Sequence, residues 1–453
     1  MNRRHALQTL AGAAAVAAAQ STASPNLVFI LVDDLRWDAL GCAGHSYVKT
    51  PNIDRLAREG MMFRNAFVTT PLCSPSRASF LTGQYVRTHR VEGNGDNAAL
   101  SHSMVTWPRL LHDAGYETAY VGKWHMGTDD SPRPGFDRWV SFRGQGQFDD
   151  PPLNIDGERV TRQGYMTDLL SDYSVEFLKK NRGNKPFCLY LAHKAVHGPF
   201  TPAARHAKLF TGQTIRRAAS ARDSLEGKPM LRRPLEQTGK KKGGGGGVGP
   251  PDEVILNQMR CLTSIDEGVG RILETLEQNK TLDRTLIVFT SDNGYFWGEH
   301  GLGDKRAAYE ESIRIPMVAR YPKLIRRGTT ADEMALNIDI APTMLEAAGV
   351  AVPKTVQGRS LVSLMQGKPR GWRTSFLSEY YMEQGNPRVA SWEAVRTARW
   401  KYVRYFDLEG MDEMYDLQTD SMEMRNLINE PGARTELENL RKELDRYRKE
   451  VPA

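Results

Sequence analysis

Four short apolar runs in this chain end in side chains that bind ions or move protons. Residues 26–32 lead into Asp33 and Asp34, residues 117–122 into Lys123, Trp124 and His125, residues 187–192 into His193 and then His197, and residues 285–290 into Asp292 and Asn293. Asp33, Asp34, Asp292 and Asn293 offer side-chain oxygens and neither sulfur nor imidazole, the donor set of a hard divalent cation. Calcium is the first choice, because it accepts mixed carboxylate and amide oxygens at about six to eight positions, whereas magnesium keeps more of its water. Taken singly, each tip also reads as a polar exit from a strand, and Asp292-Asn293-Gly294 as a turn. Together they point to one site, since open α/β sheets bind ligands just beyond the carboxyl ends of their strands.

The elements that would carry these tips alternate between short apolar runs and helical patterns. The fold class expected is therefore α/β, with a large, mixed, mostly parallel sheet flanked by helices. One long helix is expected over 254–279, where Ile255, Met259, Leu262, Ile265, Val269, Ile272 and Leu276 recur at spacings of three and four. From about residue 371 the texture changes to strand-like pieces at 391–397, 400–406 and 413–417. A closing helix follows, with Leu437, Leu440, Leu444 and Tyr447 on one face. This reads as a small antiparallel sheet with a packed helix.

The expected organisation is an export signal over 1–23, a catalytic domain over 24–370 and a C-terminal α+β subdomain over 371–453. The signal reading rests on Arg3-Arg4 ahead of an Ala-rich stretch, a twin-arginine-like pattern that implies a periplasmic destination. No later run has the roughly 20 apolar residues of a membrane span, so no transmembrane segment is expected. The formal charge of +7 and pI near 9.1 raise the question of a nucleic-acid partner. Most of the excess, however, lies between Thr211 and Pro250, with nine Lys/Arg against three acids. The remainder is nearly neutral, which argues against nucleic acid. That stretch loses periodicity and contains Lys240-Lys241-Lys242 before five glycines, so 213–251 reads as a flexible basic, Gly-rich insertion. The four cysteines, Cys42, Cys73, Cys188 and Cys261, are too few and too scattered for a disulfide scaffold or a zinc cluster.

The most specific segment is Pro71-Leu72-Cys73-Ser74-Pro75-Ser76-Arg77-Ala78-Ser79. It resembles the Cys-x-Pro-Ser-Arg signature of formylglycine-dependent sulfatases, in the alkaline phosphatase superfamily. Ser79-Phe80-Leu81-Thr82-Gly83, Gly122-Lys123-Trp124-His125-Met126-Gly127 and Asp304-Lys305-Arg306 leading to Tyr309-Glu310 are similar to that family as well. The resemblance spans essentially the whole chain beyond the signal. It implies an alkaline phosphatase-like fold and a sulfatase activity. It further implies that Cys73 is oxidised to formylglycine by a formylglycine-generating or anaerobic maturation enzyme, and that Cys73, once modified, joins Asp33, Asp34, Asp292 and Asn293 around calcium. By the same resemblance Arg77 and Lys123 hold the hydrated aldehyde, His125 takes the proton that releases sulfate, and His197 and Lys305 grip the sulfate. His193 and His300 are expected on the substrate side.

Several stretches look similar to bacterial N-acetylglucosamine-6-sulfatase-type enzymes, which implies a sulfated carbohydrate substrate, N-acetylglucosamine 6-sulfate by preference. Trp297 and Tyr381 are candidates to stack on a sugar ring. Two alternatives stay open: a phosphonate monoester or phosphodiester hydrolase of the same superfamily, and a sulfated-glycan-binding protein if Cys73 stays a thiol.

Overall fold

The burial pattern of Asn26–Val32 dictates the architecture. Leu27, Phe29 and Leu31 enter one hydrophobic cluster, while Val28, Ile30 and Val32 enter another. A strand apolar on both faces must be covered on both. The computed structural model of the chain describes residues 24–180, 185–237, 249–369, 371–386, 389–406 and 408–452. In it, Asn26–Val32 lies inside a ten-stranded sheet. It pairs in parallel with Phe187–Ala192 on one side and Thr285–Ser291 on the other. Glu117–Gly122 and Arg138–Ser141 extend the parallel set. Met317–Arg320 next to Thr285–Ser291, and Pro152–Ile155 with Glu158–Thr161 at the far edge, run antiparallel. The sheet is thus mixed and parallel at its centre, as the sequence implied.

Helices Cys73–Thr82, Trp107–Asp113 and Ile340–Ala348 contribute to the cluster on the Leu27 face. Pro51–Glu59, Met166–Lys180 and Asp252–Gln278 contribute to the other. The long helix expected over 254–279 is Asp252–Gln278, and all seven residues of its apolar stripe are buried. All ten residues of Cys73–Thr82 are buried, so this helix is enclosed on every side. Aromatic rings brace the strand ends beneath the tips: Trp107 stacks on Tyr190 at 5.7 Å, and Tyr120 lies 5.1 Å from Tyr190 and 4.9 Å from Trp139.

A second sheet runs Ser375–Tyr380, Trp392–Thr397, Trp400–Tyr405 and Glu413–Asp416, all antiparallel, with helix Arg434–Glu450 packed against it. Its first strand was not apparent from the sequence. This sheet grips the loop after Lys305. The Lys401 Nζ donates to the Ala308 carbonyl at 2.9 Å and pairs with Glu310 and Glu423 at 2.9 and 2.8 Å, while the Tyr309 hydroxyl donates to Glu413 at 2.8 Å.

The basic insertion departs from the loop expected there. Ala219–Arg222 forms a 3-10 turn and Pro229–Gln237 a helix. Leu225, Met230 and Leu231 are buried, and the Lys228 ammonium, itself buried, pairs with Asp223 at 2.9 Å. A few apolar residues scattered among charges, Ile215 among them, give no period, yet they anchor the segment. Lys240 to Lys242 and the five glycines lie outside the described residues, as does the expected export signal. Cys42, Cys73, Cys188 and Cys261 are all free thiols. Among the described residues no helix is long and apolar enough to cross a membrane.

Candidate active site

The parallel strands set their tips side by side. Asp292 follows Thr285–Ser291, and its backbone N–H donates to the Val32 carbonyl at 3.0 Å. The Asp34 backbone, in the left-handed region at φ 62°, donates in turn to Asp292 Oδ1 at 3.1 Å. Lys123 is placed by Gly122, which has φ 125° and so close an approach to the next strand that a Cβ there would lie 1.8 Å from the Ala192 carbonyl oxygen. Only glycine fits this position. Cys73 opens the enclosed helix Cys73–Thr82, and its thiol donates to Asp33 Oδ1 across 3.5 Å.

One carboxylate from each of Asp33, Asp34 and Asp292 comes within 4.8 Å of the others, and Asp33, Cys73 and His197 form a second such group. Cations interleave with them. Lys123 pairs with Asp33, Arg77 donates from Nε to Asp292 Oδ2 at 2.9 Å with its Nη2 ion-paired to the same oxygen at 2.9 Å, and Lys305 reaches both oxygens of Asp34 at 2.6 and 2.7 Å. The His197 Nε2 stands 3.8 Å from Asp34 Oδ2. All the residues expected to carry catalysis and metal binding therefore meet at one place. The Arg77 Nη1 and the Tyr120 hydroxyl both donate to the Lys123 carbonyl, and the Ser74 hydroxyl donates to the His125 carbonyl. Cys73, Lys123 and His125 are thereby held as a unit.

Burial works against ionising Asp33 and Asp34. The surrounding cations, Lys123 chiefly for Asp33 and Lys305 for Asp34, overcome it and hold both carboxyls below the usual range. Asp292 goes the other way: burial, then the neighbouring Asp33 charge, push it up to about 7. Burial and Lys123 pull the His197 imidazole down to about 4 and His125 well below its ordinary value. Near neutral pH both rings are neutral and able to accept a proton. The fit to a divalent cation rests on two features. Asp292 carries a carboxyl that burial and its neighbours leave undercompensated. In addition, Asn293 Oδ1 is buried without a hydrogen-bond partner among the described residues. A hard cation would satisfy both.

The two residues expected on the substrate side are both fully buried. His300 is fully buried, its Nδ1 bonded to Asp223 at 2.7 Å and its ring stacked on Tyr309 at 4.2 Å, while its Nε2 has no hydrogen-bond partner among the described residues. His193 is also fully buried, and neither ring nitrogen has a hydrogen-bond partner among the described residues. Trp297 packs under the Arg36 guanidinium at 4.2 Å and donates to Gln258, a structural role. Tyr381 instead lines a cleft beside the site. Asn94 and Glu383, which also line it, escaped the sequence reading, because single polar residues in loops carry no periodic or motif signal.

Comparison with known proteins agrees with this geometry. The sulfatase family profile matches residues 25–350, and a profile described as N-sulphoglucosamine sulphohydrolase, C-terminal, matches 298–450. The chain is 32% identical to an N-acetylglucosamine-6-O-sulfatase of Bacteroides thetaiotaomicron, over 90% of this chain and 83% of that one. It is 29% identical to human N-acetylglucosamine-6-sulfatase, over 90% and 82%. A solved structure of a protein in complex with its substrate, D-glucosamine-2-N,6-O-disulfate, superposes with a TM-score of 0.84 at 30% identity, covering 94% of this chain and 98% of that one. A phosphonate monoester hydrolase of Agrobacterium radiobacter shares the fold, with a TM-score of 0.78 at 24% identity over 94% and 96%. With the tips of the central strands gathered around Cys73 and the family profile covering most of its length, this chain belongs to the sulfatase family, the hydrolases of sulfuric esters.

Proposed function

We propose that the chain removes a 6-O-sulfate from a glucosamine residue of a sulfated glycan, using formylglycine made from Cys73. The observation that carries this reading is the position of Cys73, at the start of a buried helix and 3.5 Å from Asp33, among three carboxylates and three cations. The substrate part is supported by relatives named N-acetylglucosamine-6-sulfatases and by the likeness to a complex with a glucosamine disulfate.

Asp33, Asp34, Asp292, Asn293 and the modified Cys73 would hold calcium, which supplies positive charge against the sulfate and the attacking oxygen. In the reaction, one hydroxyl of the hydrated Cys73 aldehyde bonds to sulfur while the bond from sulfur to the alcohol oxygen breaks. The proton of the attacking hydroxyl passes, by way of neutral His197 and protonated Lys305, to the oxygen of the departing alcohol. The second hydroxyl then gives its proton to His125, the carbon–oxygen bond to sulfate breaks, and the aldehyde returns as sulfate departs. Arg77 and Lys123 hold the hydrate and offset its developing charge. Cys73 is fully buried, so a maturation enzyme would act on it before the fold closes around it. The Arg3-Arg4 signal supports export to the periplasm.

The test is sulfate release from N-acetylglucosamine 6-sulfate by the wild-type chain and by Cys73→Ala, alongside a panel of phosphate and phosphonate esters. Release by the wild type alone, with both proteins folded, is expected. Activity retained in Cys73→Ala, or phosphonate turnover well above sulfate turnover, would overturn the proposal.

A further inference from the structure

A cleft of about 710 Å³ opens beside the nucleophile, lined among others by Arg90, Asn94, Arg306, Tyr381, Glu383 and Gln384. Its size is that of a small-molecule site. It meets the catalytic cluster at two points. Asn94 Oδ1 accepts the backbone N–H of Ser74, the residue after Cys73, at 3.1 Å. Arg306 follows Lys305, the partner of Asp34.

Glu383 spans these two points. Its Oε1 accepts the Asn94 backbone N–H at 3.0 Å, and its Oε2 accepts Arg306 Nε at 2.9 Å and is ion-paired with Nη2 at 2.8 Å. Arg306 is fixed from behind, since its carbonyl accepts the Trp392 indole N–H at 2.7 Å and its guanidinium also meets Asp304. A carboxylate has about four lone-pair sites; the Asn94 bond uses one on Oε1, while the Arg306 hydrogen bond and ion pair occupy Oε2. The remaining acceptor capacity belongs to Oε1, on a side chain 18% exposed in the cleft. The charges of Arg90 and Arg306 are matched by those of Glu92 and Glu383, so the cleft suits a polar, uncharged ring rather than a second anion. Tyr381 adds an aromatic surface to the lining.

We propose that this cleft binds the alcohol portion of the ester, and that Glu383 is a specificity-determining residue selecting a leaving group with hydroxyl or amide N–H donors, such as a hexosamine ring, over a bare aromatic ring. The proposal rests on the sulfatase reading and deepens it. A preorganised acceptor left without its donor penalises a substrate that lacks one.

The experiment compares the mature, calcium-loaded wild type with Glu383→Gln and, at the cleft's aromatic surface, Tyr381→Ala. Substrates are N-acetylglucosamine 6-sulfate and 4-nitrophenyl sulfate. Each variant is expected to lower the ratio of the two kcat/KM values, sugar over aryl, at least tenfold. Equal losses on both substrates would reduce Glu383 to a brace between loops and overturn the proposal, as would an unchanged ratio. Titration of N-acetylglucosamine 6-sulfate into calcium-loaded Cys73→Ala, with and without Glu383→Gln, reads the cleft without turnover. A tenfold weaker affinity supports the assignment even if hydrolysis fails, and undiminished binding overturns it even if hydrolysis succeeds. Tyr381→Ala keeps the test decisive should Glu383→Gln not fold.

Discussion

Replacing Lys305 by Met keeps the length of the side chain and deletes its charge. Lys305 Nζ lies 2.6 and 2.7 Å from the two oxygens of Asp34, a residue only 2% exposed. Removing one partner of a buried pair costs about 3–5 kcal/mol, because the other charge stays buried and uncompensated. Asp34 would retain the Asn293 amide at 2.6 Å, a weaker partner. In the calcium-free chain the full loss should appear. Calcium would restore much of it, since the vacated carboxylate can be satisfied by the ion and a like charge no longer opposes the metal. Calcium affinity should therefore rise at least about tenfold, which is about 1.4 kcal/mol. Turnover should nevertheless fall by about a hundredfold or more, since the proposed mechanism sets this cation against the sulfate. Equilibrium urea unfolding with calcium or with chelator reads the stability, and calorimetric titration reads the affinity. An identical stability loss in both conditions, or weaker calcium binding, would refute the reasoning.

Burial holds the His89 and His193 imidazoles down to about 3. Between their unfolded value near 6.5 and that value the unfolded chain takes up protons that the folded chain does not, so stability is full above pH 6.5 and falls as pH falls, by about 2 kcal/mol per histidine at pH 5. His89→Gln, still able to meet Ser79, should remove about 2 kcal/mol of that slope in urea unfolding between pH 7 and 5; an unchanged slope would contradict it. Gly122→Ala places a methyl 1.8 Å from the Ala192 carbonyl oxygen and should cost about 2–4 kcal/mol, with a larger loss of activity because Lys123 follows; a cost under about 1 kcal/mol would show that the strands yield there. Lys401→Met should destabilise by about 3–5 kcal/mol by stranding Glu423, whereas Glu310 keeps Arg396, and adding Glu423→Gln should recover part of this; no recovery in the double variant would place the cost elsewhere.

The parallel core was legible because its strands are apolar on both faces and end abruptly in charge. Leu27 through Val32 followed by Asp33-Asp34 is such a case, and so is the three-and-four stripe of Asp252–Gln278. The meeting of Asp33, Asp34, Cys73, Asp292 and Asn293 was legible from strand direction together with a motif. His193 and His300 show the limit. A histidine at a strand tip or in a loop reads alike whether it faces solvent or the interior, and the partner of His300 is Asp223, supplied by a basic stretch that lacks periodicity. Glu383 was invisible for a related reason. Its partners Asn94 and Arg306 lie in loops far away along the chain, and only the docking of the second sheet brings them together.

The central claim, that hydrolysis depends on the altered side chain of Cys73, is tested most directly by pairing two readings on the same samples. Preparations matured to different extents are digested, and the mass of the Cys73 peptide gives the fraction carrying the aldehyde. Sulfate release from N-acetylglucosamine 6-sulfate is measured on each. Release should rise in proportion to the aldehyde fraction and vanish when the peptide has the thiol mass. Full turnover from a preparation whose Cys73 is entirely thiol would contradict the account.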